Sequence, residues 1–213
     1  LLAQELTLAR RGVSQPIGLY VVADGMGGHS AGEVASGIVV NTLAHKMATE
    51  VVAARAGPDG PNHSFDPAAW LGEAIAAANA AVFERRRQAG TDMFTTLVTA
   101  LVMGDTAYIG HVGDSRAYLL NDQGIRQLTT DHSLVERLVA TGQISREEAR
   151  NHPQRNVIYR TVGDKARIEP DIAAHRLSPG DRLLLCSDGL SGLVSDDDMW
   201  RIVMPTPSPS DAC

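Results

Sequence analysis

Apolar and polar positions follow two different periods along the chain. Residues 18–23, Gly-Leu-Tyr-Val-Val-Ala, form a short β-rich run that stops at Asp24-Gly25-Met26-Gly27-Gly28. Beyond it, Val34, Ile38, Leu43, Met47 and Val51 recur at close to helical spacing, which predicts a long amphipathic helix. Residues 57–64, rich in Gly and Pro, read as a surface loop. Asp66-Pro67 then offers an N-cap and a first-turn proline. Trp70, Leu71, Ile75, Ala78, Val82 and Phe83 carry a second helix to Arg85-Arg86-Arg87, where positive charge meets the C-terminal end of the helix dipole.

The period then shortens. Strands are predicted over 95–103, 106–112 and 115–120, with Gly104-Asp105 as one turn and 121–124 leading into a further strand at 125–128. Connections this short leave no room for crossover helices, so these strands form an antiparallel meander. Residues 133–141 and 145–151 read as short helices capped by Ser133 and Ser145. Residues 168–173 and 182–186 read as strands. Ser195-Asp196-Asp197-Asp198 starts a last helix carrying Met199, Trp200 and Ile202. Runs of strands separated from runs of helices predict an α+β fold with antiparallel sheets rather than a doubly wound parallel one. No internal repeat at a fixed period is present.

A length of 213 residues suits a single domain with a core of its own. The net charge of −6 argues against a nucleic-acid partner, which basic side chains would dominate. The two cysteines, Cys186 and Cys213, cannot build a disulfide framework or a four-thiolate zinc site, so a reducing, cytoplasmic setting is expected. No apolar run approaches the ~20 residues needed to cross a bilayer, and no secretory leader is visible. The start at Leu1 without Met and the end in a Pro/Ser-rich stretch lead to the expectation that the chain is cut at both ends.

Candidate chemistry lies where strands end. Asp24 leaves an apolar strand and enters a turn with three glycines in four positions, Gly25, Gly27 and Gly28, more than one turn needs. Asp188 repeats the pattern after Leu183-Leu184-Leu185-Cys186, and Asp114 sits in His111-Val112-Gly113-Asp114-Ser115-Arg116. Carboxylates from separate strands can converge at one end of a sheet pair. Oxygen ligands of that kind suit Mg²⁺ or Mn²⁺ rather than Zn²⁺, and a pair of such ions lowers the pKa of a bridging water and clamps a phosphoryl oxygen. His45, His63 and His175 lack ligand-type partners at useful spacing. His29 and His132 are candidates to line the cleft without ligating, and His111 reads as a residue packed under it.

The motif set reaches further. Val21-Val22-Ala23-Asp24-Gly25-Met26-Gly27-Gly28-His29 with Ala31-Gly32-Glu33-Val34-Ala35-Ser36, then Thr95-Thr96-Leu97-Val98, Gly110-His111-Val112-Gly113-Asp114-Ser115-Arg116, Leu128-Thr129-Thr130-Asp131-His132-Ser133 and Cys186-Ser187-Asp188-Gly189-Leu190 resemble, in order and over nearly the whole chain, the bacterial branch of the type 2C metal-dependent serine/threonine protein phosphatases. The resemblance implies a four-layer αββα sandwich in which two antiparallel sheets lie face to face with helices outside. It implies hydrolysis of phosphoserine and phosphothreonine on proteins by a water bridging two Mn²⁺ or Mg²⁺ ions, without a phosphoenzyme. By position, Asp24 would bridge both ions, Gly25 would ligate through its carbonyl, Asp188 would hold one ion, and Asp114 would belong to a third, weaker site. Residues 133–164 match the mobile flap beside the active site, and the whole of 1–213 would be one catalytic domain, acting as a monomer on phosphoproteins and opposing serine/threonine kinases.

The match departs from the family at both ends. The opening Arg and Asn-Glu-Asp and the closing Asp-Asn are not seen, and Met26 stands where other branches carry a histidine. The alternatives are therefore a catalytically impaired, phosphatase-like binding or regulatory module, and a metal-dependent esterase or nuclease acting on small substrates.

Overall fold

A computed structural model of the chain describes residues 1–10, 13–51 and 65–212. The expected 57–64 loop, His63 and Cys213 lie outside the described residues. The strands are β1 (Leu2–Arg10), β2 (Val13–Val22), β3 (Gly25–Met26), β4 (Phe94–Thr95), β5 (Leu97–Met103), β6 (Thr106–Val112), β7 (Arg116–Asn121), β8 (Gly124–Gln127), β9 (Asp171–Arg176) and β10 (Arg182–Cys186). The helices are α1 (His29–Lys46), which runs on into a π-helical turn at Met47–Val51, α2 (Pro67–Ala89), α3 (Leu134–Ala140), α4 (Arg146–Arg150), α5 (Asp188–Ser191), α6 (Asp196–Val203) and α7 (Pro209–Ala212).

A five-stranded sheet runs β1-β2-β5-β6-β9, a three-stranded sheet β10-β7-β8, and β3 pairs with β4 alone. Every pairing is antiparallel. Period-two alternation sorts each strand between two cores. On β5, Leu97 and Leu101 pack against the α1 and α2 side, where Val39, Leu43, Leu71, Ile75 and Val82 are buried. Val98 and Ala100 of the same strand face the other sheet, meeting Ala107, Ile109, Ala117, Leu183 and Leu185. Tyr118, Leu120 and Cys186 turn outward beneath Met199 and Trp200 of α6. The layers are thus helices, sheet, sheet, helix, the αββα sandwich that the motifs imply.

Three sequence expectations need adjustment. The single meander expected over 95–128 is two hairpins in different sheets, β5–β6 in the five-stranded sheet and β7–β8 in the three-stranded one, because the chain passes from one sheet to the other at the turn over 113–115. On α1 the buried stripe is Ala35, Val39, Leu43 and Met47, continued by Val51 in the π-helical turn, while Val34 is 38 % exposed. Leu43, Met47 and Val51 are buried as expected, and only the first two members are displaced by one residue, from Val34 and Ile38 to Ala35 and Val39, because Ala35 is too small to stand out in an apolar pattern. The strand expected at 168–173 is β9 at Asp171–Arg176, since its bounds are set by pairing with β6, Thr106↔Arg176 through His111↔Asp171, rather than by side-chain character. Strand β1, which the apolar pattern does not predict, pairs along its length with β2.

The local signals that held are physical ones. Asp66 caps α2 by accepting from the Ala68 and Ala69 N–H groups, with Pro67 in the first turn and Gly90 ending the helix in the left-handed conformation. Ser133, Ser145 and Ser195 cap α3, α4 and α6 in the same way.

Candidate metal centre

Asp24 follows β2, Asp114 lies in the turn between β6 and β7, and Asp188 opens α5 directly after β10 and Ser187. The two sheets bring these strand ends to one place. Burial is the largest influence raising the Asp24 carboxyl above its usual range; the Asp188 carboxylate and a hydrogen bond shared with it raise it further, while Ser187 acts in the opposite sense. Asp114 is pushed up to about 6, first by burial, then by Asp188, Asp131 and Asp24. The three sequence-predicted carboxylates therefore feel one another, and no cation stands among the main influences on Asp24 or Asp114. Mutual repulsion of this kind is costly in the bare protein and is relieved by a divalent cation. An all-oxygen donor set fits Mg²⁺ or Mn²⁺.

The backbone around Asp24 is fixed by the threonine pair. The Thr96 N–H and the Thr95 hydroxyl both donate to the Asp24 carbonyl at 2.9 Å, and the Asp24 N–H donates to Thr96 Oγ1 at 3.1 Å. Thr96 Oγ1 also lies 2.6 Å from Ser115 Oγ, beside Asp114. One buried hydroxyl thus joins two of the carboxylate-bearing turns.

Gly25 is required by close approach. A Cβ there would sit 2.0 Å from the Gly32 carbonyl oxygen in the first turns of α1, and one on Gly32 would meet the Gly25 carbonyl carbon at 2.6 Å. Strand β3 therefore crosses α1 backbone to backbone directly after Asp24. A cavity of about 440 Å³ opens there, lined by Ala23, Asp24, Gly25, Gly28, Glu33 and Ser36.

Around Asp114 the turn is equally constrained. Gly113 has φ +112, and Thr96 lies beneath it. Its N–H donates to His132 Nδ1 at 3.0 Å, and its carbonyl accepts from the His132 N–H at 2.8 Å. Arg116 pairs with the buried Asp131 through Nη2 at 2.7 Å, which keeps that carboxylate engaged beneath the centre. His111 and His132 are 2 % and 3 % exposed, so both pack under the site; the His29 side chain lies outside the described residues.

Sequence reasoning named the carboxylates but gave no task to Thr96, Ser115, Glu33 or Asp171. Thr96 and Ser115 stood inside quoted motifs, and only the pairing of sheets shows that they touch.

Comparison with known proteins agrees with this geometry. Over 194 residues the chain is 40 % identical to the serine/threonine phosphatase stp of Listeria monocytogenes, covering 89 % of this chain and 72 % of that protein. It is 42 % identical over 181 residues to the serine/threonine protein phosphatase PstP of Mycobacterium tuberculosis, covering 84 % of this chain and 33 % of the relative. Among solved structures, the catalytic domain of the serine threonine protein phosphatase PstP in complex with two manganese ions superimposes with a TM-score of 0.77 at 34 % identity, covering 99 % of this chain and 86 % of that one. The family profile described as protein phosphatase 2C matches residues 7–212, a span that takes in every one of the turns just described, and the chain belongs to that family.

Proposed function

We propose that this protein phosphatase 2C chain hydrolyses phosphoserine and phosphothreonine monoesters on proteins, with Asp24, the Gly25 carbonyl and Asp188 holding a pair of divalent cations and Asp114 contributing to a weaker third position. The observation that carries the reading is the convergence of Asp24, Asp114 and Asp188 in one repelling, partly buried cluster. Manganese is the ion named with a structural neighbour, and Mn²⁺ or Mg²⁺ suits the oxygen donors here. Such ions supply an activated water and polarise the phosphoryl oxygen when bound.

The chain's own residues supply position. Thr95 and Thr96 fix the Asp24 backbone, the Gly25–Gly32 crossing fixes the carbonyl, and the β10–β7 pairing aims Asp188 at Asp24. Residues 133–164 form the proposed flap. They are anchored at both ends by bridges Ser133↔Ile158 and Thr95↔Val162, and Val157 and Tyr159 are exposed at its root, 45 % and 50 %, where a peptide could rest. Residues 1–213 are read as one catalytic domain, with phosphoproteins as substrates, serine/threonine kinases as the opposing enzymes, a monomeric state and a cytoplasmic setting. Among the described residues no helix is long and apolar enough to cross a membrane.

The test is phosphate release from a phosphoserine peptide with Mn²⁺ present. Asp24→Ala and Asp188→Ala are each expected to lower turnover by ~10²–10³-fold with the fold retained. Unchanged turnover in either variant refutes the assignment.

A further inference from the structure

Away from the carboxylate centre, His111, His132 and Asp171 place ligand-type atoms within 4.8 Å of one another. Two buried imidazoles and a carboxylate suggest a metal site, but the hydrogen bonds oppose it. The Gly113 N–H donates to His132 Nδ1 at 3.0 Å. That nitrogen must keep its lone pair, so neutral His132 carries its proton on Nε2. Nε2 faces Asp171 Oδ2 at 3.4 Å, an electrostatic contact that falls short of hydrogen-bond geometry and leaves this buried nitrogen without a hydrogen-bond partner among the described residues. His111 Nε2 lies 3.2 Å from the Gly113 carbonyl, which only accepts, so the His111 proton is committed there. The two rings are stacked, centroids 4.3 Å apart and 25° from parallel, so their in-plane lone pairs do not point at one ion. Burial keeps His132 neutral, lowering its pKa to about 4.

The same contacts form a connected path. Asp171 accepts from Arg160 Nη1 at 2.7 Å, and that guanidinium also holds the Glu169 carbonyl at 2.8 Å. The Tyr159 N–H donates to the His132 carbonyl at 2.9 Å, and the Tyr159 ring tilts against the imidazole with centroids 5.8 Å apart. The path runs from the root of 133–164, through Asp171 and His132, to the amide directly before Asp114. Thr96 lies close beneath Gly113, and the Gly113 N–H is held by His132 Nδ1.

We propose that Asp171 and His132 are a positioning couple that orients the Gly113–Asp114 turn, and with it the weak metal position, from the root of the flap. The proposal rests on the reading of Asp114 as a metal carboxylate.

Mn²⁺ titration calorimetry tests it. His132→Leu and Asp171→Ala should each weaken the weakest Mn²⁺ site about tenfold and leave the tighter sites unchanged. His132→Asn, whose Oδ1 can replace Nδ1 as acceptor for the Gly113 N–H, should restore most of that affinity. Nitrogen NMR should find His132 as the Nε2–H tautomer. Loss of the weakest site in Asp114→Ala together with unchanged binding in Asp171→Ala overturns the couple alone; unchanged binding in Asp114→Ala overturns the metal reading and the couple with it. An Nδ1–H tautomer, or Zn²⁺ binding that survives Asp114→Ala and disappears in His132→Asn, overturns it in favour of a histidine metal site. Should His132→Leu fail to fold, Asp171→Ala, His132→Asn and the tautomer decide.

Discussion

The Asp114 carboxyl titrates near 6 in the folded chain, against an ordinary 3.8, because it is buried among other carboxylates. Between those values the folded state binds more protons than the unfolded one, so stability of the metal-free protein falls as pH rises through this window. Above it the full penalty is present. Asp114→Asn removes the penalty and is expected to raise metal-free stability at pH 7.5 by about 1 kcal/mol, with the gain gone at pH 3.5. Urea unfolding in a chelator at the two pH values measures it; an equal gain at both would show that charge is not the cause. The same residues show what the chain discloses before folding. Asp24, Asp114 and Asp188 were legible because each follows an apolar run and sits beside glycine or serine. Thr96 and Asp171 were not, because each acts on a partner reached only by pairing, Asp24 across 72 positions for Thr96 and His132 for Asp171.

At the scale of elements, caps read best and strand limits worst. The α4 helix is only Arg146–Arg150, and no residue in it is buried. Its persistence rests on the reciprocal cap, in which Ser145 accepts from the Glu148 N–H at 3.2 Å and the Glu148 carboxylate accepts from the Ser145 N–H at 2.8 Å. Ser145→Ala is expected to cost that helix about 1 kcal/mol, read as roughly fivefold faster amide exchange in 146–150 with little change in the global unfolding midpoint. A matching fall in the midpoint would show that α4 is part of the main cooperative unit. Strands give weaker signals because their limits belong to their partners. Thr96 divides what reads as one strand over 95–103, since β4 pairs with β3 while β5 pairs with β2 and β6. Strand β1 escaped notice for a related reason: Gln4 occupies a half-buried position in it, where alternation calls for an apolar side chain.

For the whole molecule, the α+β class with antiparallel sheets was legible because runs of strands stand apart from runs of helices and the strands are joined by short connections. The resemblance to type 2C phosphatases added their arrangement, which periodicity alone could not supply. On the proposed reading, a centre that draws carboxylates from both sheets ties cation binding to the global fold. At a Mn²⁺ concentration a hundred times its dissociation constant, linkage stabilises the folded state by about 2.7 kcal/mol, a rise of roughly 5–10 °C in the unfolding midpoint for a chain of this size. Calorimetry with Mn²⁺ and then with excess chelator should show the rise and its reversal, and Asp24→Ala should abolish it. The β2–β5 register has one more consequence. Val22 pairs with Val98, two residues before Asp24, so this carboxylate is held by a strand that emerges from a ribosome some seventy residues later. The β5–β6 and β7–β8 hairpins, which belong to different sheets, can zip locally, whereas this junction must first close a long, entropically expensive loop. Asp188 is synthesised later still, so a nascent chain holds these two hairpins before the carboxylates carried by both sheets can meet.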